Sequence, residues 1–166
     1  REGTGRTWTV ESRWVPVLHP TQRFYLRENE NAVLLGKTYF SPFGWQTTMG
    51  CALDCSEPAP VYAACHSMSR DGKPTLLCYF GRIDDPAIET VVVSVEEITY
   101  DQGQEIRKEL RRLTAERSDF LSRDGRTFFW LMETRDWEKD PEQIIRPVLT
   151  AYEANGTVVE EFDIRR

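Results

Sequence analysis

Three Asx-Gly dipeptides, Asp71-Gly72, Asp124-Gly125 and Asn155-Gly156, divide this chain into pairs of apolar segments. Such dipeptides favour tight hairpins: glycine has no Cβ to oppose a left-handed backbone, and Asp and Asn bond their own backbone. β-branched and aromatic residues flank them: 61–67 and Thr75–Ile83 about the first, FFWLM (128–132) after the second, 150–153 and 157–162 about the third. The pattern predicts a mostly β (α+β) fold of antiparallel hairpins, packed as a sandwich or as two sheets. The first two signals share SRDG letter for letter, at 69–72 and 122–125. Their flanks differ, with Ser118 and Leu131 standing where Cys65 and Cys78 stand about the first, so the repeat reads as shared turn chemistry and not as duplication.

Further short strands are expected at 24–26, 33–35, 37–40, 45–48 and 89–95, separated by turn-rich 28–31, 41–44 and 84–86. Gln104–Glu116 places Ile106, Leu110 and Leu113 at i, i+4 and i+7 among Glu, Lys and Arg, which predicts an amphipathic helix, with a polar strand as the alternative. Residues 1–6 read as a loose tail and 7–166 as one β-rich domain, with Pro58 and Pro60 marking a candidate seam between subdomains at 56–60.

The cysteines carry the sharpest expectation. If Asp71-Gly72 is a two-residue loop, Arg70 and Lys73 close it, and opposed pairs alternate in type outward from there. Ser69/Pro74 is then a non-hydrogen-bonded pair, where the ladder needs no N–H from Pro74. Cys65/Cys78 falls in the same class, with Cα atoms about 4.5 Å apart, inside the ~4.4–6.8 Å a disulfide tolerates. This predicts a cross-strand Cys65–Cys78 disulfide, contributing on the order of 3 kcal/mol. The second pair would be Cys51–Cys55, or the connectivity is crossed. The rival readings are a metal site using Cys51, Cys55, Cys65 and His66, and a reactive thiol. Strand alternation opposes the first, since Cys65 and His66 point to opposite faces. By the same register both faces of this hairpin are apolar, so it is expected to be covered on both sides.

Motifs for catalysis are few. His19 lies in a loop between Leu18 and Pro20, and His66 reads as a packing residue opposite Leu77. Asp84-Asp85 before Pro86 reads as a turn. No nucleotide-binding, metalloprotease or nucleophile-elbow pattern occurs, although two distant carboxylates can form a hydrolase site that no motif reveals. Tyr39, Phe40, Phe43 and Trp45 are expected to pack between sheets, with a recognition patch as the alternative. Asn155-Gly156-Thr157 fits a glycosylation sequon but is accounted for as a hairpin turn.

Composition narrows the partners. The chain has 166 residues, 40 % of them apolar and 29 % charged, so it can bury a core, and its net charge is −6. The one basic cluster, Arg107-Lys108 and Arg111-Arg112, is interleaved with Glu105, Glu109 and Glu116 and reads as an internally paired, solvated face. An acidic surface without a basic stripe argues against nucleic acid and anionic membranes. No run approaches the ~18 apolar residues of a membrane span. A start at Arg1 fits a signal peptide, an anchor helix or a tag upstream.

Three fragments carry a resemblance: AVLLGKTYFSPFGW (32–45), YFGRIDDPAIETVVV (79–93) and AYEANGTVVEE (151–161). The chain resembles small uncharacterised extracytoplasmic domains of Gram-positive bacteria, which follow a signal peptide or a single anchor. Those have a Gly-Trp ending a strand, a Tyr-Gly-x-Ile-x-Asp-x-x-Ile-x-x-Val segment and a closing pair around Tyr-x-x-Asn-Gly. Ile83, Asp85, Ile88 and Val91 match, while Phe80-Gly81 stands for Tyr-Gly. The resemblance implies an exported, mostly β domain and transfers no catalytic residue or cofactor. The expected function is binding or sensing of a protein or cell-envelope ligand; the alternatives are a secreted hydrolase with a carboxylate site and a metal-binding domain.

Overall fold

The structure, a computed structural model, describes residues 7–15, 21–68, 75–135 and 145–164. Among them run twelve strands in three four-stranded sheets, every pairing antiparallel. The first sheet is a meander of β1 (Trp8–Trp14), β2 (Arg23–Asn29), β3 (Ala32–Ser41) and β4 (Gly44–Asp54). The central sheet has the order β5 (Val61–Met68), β6 (Thr75–Ile83), β10 (Arg126–Arg135), β9 (Leu121–Arg123). The third has the order β12 (Val158–Asp163), β11 (Ile145–Glu153), β7 (Ile88–Asp101), β8 (Gln104–Glu116).

Side-chain alternation along β6 explains the layering. Leu76, Cys78 and Phe80 turn toward Phe24, Leu26, Val33 and Leu35 of the first sheet. Leu77 and Tyr79, on the other face, meet Val91, Val93, Leu149 and Ala151 of the third. All nine residues of β6 are buried, so the central sheet is covered on both faces, as the apolar hairpin faces predicted. The architecture is three layers with two cores, where a sandwich or two packed sheets was expected. The stretch 56–60, read as a seam, is the crossing from the first sheet to the central one, and the first core spans it.

Gly81 has a role set by space. A Cβ there would lie 1.8 Å from the Tyr62 carbonyl oxygen of β5 and 2.5 Å from the Phe129 ring. Only hydrogen fits between the two neighbouring strands. Beside it Arg82, 7 % exposed, donates to both oxygens of Asp84 at 2.7 Å and to the carbonyls of Cys55 (3.2 Å) and Glu30 (3.4 Å). Its guanidinium lies 4.8 Å from the Tyr62 ring centroid. This node ties the central sheet to the β2–β3 turn and to the crossing segment.

Two expectations are corrected. Gln104–Glu116 is strand β8 and not a helix; the chain reverses at Gln102-Gly103, whose φ values of 49° and 83° make a hairpin turn closed by Asp101 and Gln104. A bulge leaves Leu110 as an extra residue between Glu109 and Arg111, and this break in alternation gives the apolar residues their helix-like spacing. The second correction is the register of β5 and β6. Met68 pairs with Leu76, which leaves an odd number of residues between them, whereas a two-residue loop at Asp71-Gly72 needs an even number. Those turn residues lie outside the described residues. Cys65 consequently pairs with Tyr79, and Cys78 with His66. The one-residue slip sends the two thiols to opposite faces, Cys78 into the first core and Cys65 into the second. No Cys65–Cys78 or Cys51–Cys55 disulfide exists; none of the four cysteines is disulfide-bonded.

Candidate functional site

Phe40, Phe43 and Trp45, near the β3–β4 turn, do not pack between sheets. On β2 and β3 the inward positions are Phe24, Leu26, Val33 and Leu35, so Tyr25, Leu34 and Phe40 fall on the outer face. Trp45, directly opposite Phe40, shares that face, and Trp14, paired with Arg23, does too. Phe40 and Trp45 meet edge to face, centroids 5.5 Å apart, yet remain 50 % and 61 % exposed. Trp14 is 65 % exposed.

The turn between them is rigidly made. Ser41 Oγ donates to the Gly44 carbonyl at 3.1 Å and accepts from the Phe43 N–H at 3.2 Å, and Gly44 supplies a φ of 96°. This holds Phe43 outward, 91 % exposed. Of the four aromatics named from sequence, only Tyr39 turns to the inner side, where it is half-buried. Scattered apolar residues on a surface are ordinary, but four large ones gathered at one end of a sheet make this end a candidate recognition surface.

A second feature lies on one flank. β4, β5 and β12 are each the edge strand of their own sheet, and all three line one cavity of about 690 Å³. Leu53 of β4, Ala63 and Cys65 of β5 and Phe162 of β12 line it, together with the carboxylates of Asp54 and Asp163. The N–H of Ser56 donates to Asp54 Oδ1 at 2.9 Å, and hydrogen bonding from Ser56 holds the Asp54 carboxyl below its ordinary range.

The remaining candidates from sequence have structural roles. Burial pushes the Cys55 thiol up to about 11 and the Cys78 thiol up to about 12, and raises that of Cys51, so these are protonated near neutral pH and are poor nucleophiles. The Cys55 and Cys51 thiols contact the carbonyls of Leu53 (3.7 Å) and Ala52 (3.8 Å). Among the described residues no group of three His, Cys, Asp or Glu side chains is placed to hold a metal ion. His66 packs against Gly50, where a Cβ would come within 3.0 Å of Nε2. Its pKa is lowered by burial and then by the charge of Lys37. His19 lies outside the described residues.

Asp84 is occupied by Arg82, and Asp85 accepts the Ala87 N–H at 2.9 Å, which is the turn expected. Asn155 Oδ1 accepts the Thr157 N–H at 2.8 Å in the third hairpin. The basic cluster lies on a strand and is internally paired only in part: Arg107 pairs with Glu105 at 2.6 Å and Arg112 with Glu109 at 3.0 Å, but Arg111 reaches Glu133 of β10 at 2.9 Å. Sequence reasoning missed the three-edge cavity, because edges become neighbours only through sheet order. Compared with family models, with curated proteins and with solved structures, the chain matches none.

Proposed function

We propose that this chain is a binding or sensing domain of the cell exterior, and that it holds a protein or cell-envelope partner through the aromatic end of its first sheet. The observation that carries the reading is the exposure of Trp14, Phe40, Phe43 and Trp45 at one end of one sheet. Aromatic rings desolvate much surface at little conformational cost, which is why they anchor interfaces. The placement outside the cell rests on the sequence resemblance alone, because the disulfide that also pointed there is not formed.

The test is co-sedimentation with isolated Gram-positive cell walls, with tryptophan fluorescence as a second signal. Wild-type protein is expected to pellet with the walls, and Phe43→Ser and Trp45→Ser to stay in solution. Both variants should keep their unfolding midpoint, since exposed substitutions change stability within about 0.5 kcal/mol. Equal retention of wild type and variants sinks the reading, as does a melting loss of many degrees, which would make these rings core residues.

A hydrolase reading has one observation in its favour, the two carboxylates Asp54 and Asp163 in a single cavity. Hydrogen bonding from Ser56 favours the ionised form of Asp54, which suits the base or nucleophile of such a pair but leaves its general acid without an observation behind it, so binding remains the proposed function.

A further inference from the structure

We propose that the flank formed by β4, β5 and β12 is a second, separate binding site, which takes an extended peptide of small apolar residues with a basic end as a fifth strand on β5. Three observations combine. The first is backbone direction. Trp130 gives its carbonyl to Arg13 from outside the central sheet, so its partner Phe80 directs its own amide toward β5. Alternation then pairs Ala64 with Phe80 and aims the N–H and C=O of Ala63 and Ser67 outward, along the sheet's edge. An edge of this kind is a template for one more strand, and main-chain hydrogen bonds supply the affinity.

The second observation is space. The cavity of about 690 Å³ lies beside that edge, between the edges of the two flanking sheets. It is within the ~300–1,000 Å³ range of ligand clefts. Ala52, Ala63 and Ala64 keep it wide, and Leu53 and Phe162 offer apolar contact. A strand added to the central sheet would be covered on both faces, as β6 is, which selects small apolar side chains on both. The third is charge. Asp54 stands in the cavity of a chain with net charge −6, and its complement is a cationic residue at an end of the peptide, whereas Asp163 already faces Arg146 at 3.5 Å.

The probe is a dye-labelled peptide, Lys-Val-Ala-Val-Ala-Val-Lys with blocked termini, measured by fluorescence anisotropy against the whole chain. Saturable binding is expected, weakened about tenfold or more when alternate peptide amides are N-methylated, because each methyl removes a ladder donor. Ala63→Pro should abolish binding, the ring standing where the new strand would pair, while an edge position tolerates proline in the fold. The methylated peptide tests the same point on unaltered protein, should that variant fold poorly. Equal affinity for methylated and unmethylated peptide overturns the proposal, and so does failure of the unmethylated peptide to bind. Sedimentation gives a further outcome: a wild-type dimer that Ala63→Pro converts to monomer makes a second copy of this chain the occupant and overturns the peptide assignment.

Discussion

The two flanks of the three-layer stack manage their strand edges in opposite ways. On one, arginines cross between layers. Arg13 of β1 donates to the Trp130 carbonyl at 3.0 Å and lies 4.7 Å from that ring's centroid. Arg111 of β8 reaches the Thr134 carbonyl (3.3 Å) and Glu133 (2.9 Å), Arg123 bonds the Thr9 carbonyl, and Arg126 pairs with Glu28 at 2.9 Å. Strand β9 is only three residues long, and two of these arginines, Arg13 and Arg111, occupy carbonyls on the stretch of β10 that it leaves uncovered. On the other flank Ala52, Ala63 and Ala64 stand where such side chains would be, and a cavity remains. One flank is protected against further pairing by charge, the other is left as a place to pair.

Changing Gly81 should have the largest effect, because it tests how tightly the open-flank strand β5 is held to the sheet. Gly81→Ala puts a methyl against the Tyr62 carbonyl and the Phe129 ring, at distances no real contact shows. The backbone must move apart on both sides of β6, at a cost on the order of 4 kcal/mol or more. Urea unfolding followed by near-ultraviolet circular dichroism reads this directly. A loss under about 1 kcal/mol would mean that β5 is loosely attached and that the flank is soft, not merely open.

Arg126 tests the closed flank. Its partner Glu28 is 2 % exposed, so Arg126→Ala strands a carboxylate in the first core. Breaking a buried pair from one side costs about 3–5 kcal/mol, and the partial exposure of Arg126 places this case at the lower end. The double variant Arg126→Ala, Glu28→Gln should recover much of the loss, since it removes the orphaned charge. If Arg126→Ala is neutral by the same unfolding measurement, the arginine stitches on this flank are surface decoration and the contrast fails.

How much of this was legible in the sequence depends on whether a local rule or a long-range neighbour decided the outcome. Asp124-Gly125 makes the two-residue hairpin its letters promised, with φ values of 49° and 78° and Arg123 paired to Arg126. The same four letters at 69–72 sit between strands of a different register, so identical turn chemistry did not set identical pairing, and the disulfide inference failed with it. Gln102-Gly103 went unseen because Gln seldom adopts a left-handed conformation, and the helix was inferred in its absence. The short strands expected at 33–35 and 37–40 are one strand, and alternation along it could not say which side another sheet would cover. Phe40 and Trp45 were therefore assigned to the core from chemistry alone, when the core lay behind Val33 and Leu35. The cavity depends on three sheet orders at once, information that no window of sequence holds.

The smallest effect expected is a pH dependence confined to the open flank. His66 of β5 is packed beneath the Gly50 bulge of β4, so it links the two strands that border the cavity. Burial, followed by the charge of Lys37, lowers its pKa below the ordinary 6.5. Above about pH 7 the imidazole is neutral in folded and unfolded chains alike, and it adds no slope there. As pH falls through 6.5 the unfolded chain takes up the proton first, so stability declines. The decline from this residue ends once pH passes below the folded value, where both states are protonated. Unfolding free energies from pH 7.5 to 5 should therefore fall more steeply for wild type than for His66→Gln. Hydrogen exchange should place the acid-induced loosening at β4 and β5, with β10 on the arginine-bound flank retaining its protection. Equal loosening on both flanks would show that they respond as one unit, and that the open side is not the one from which the stack yields.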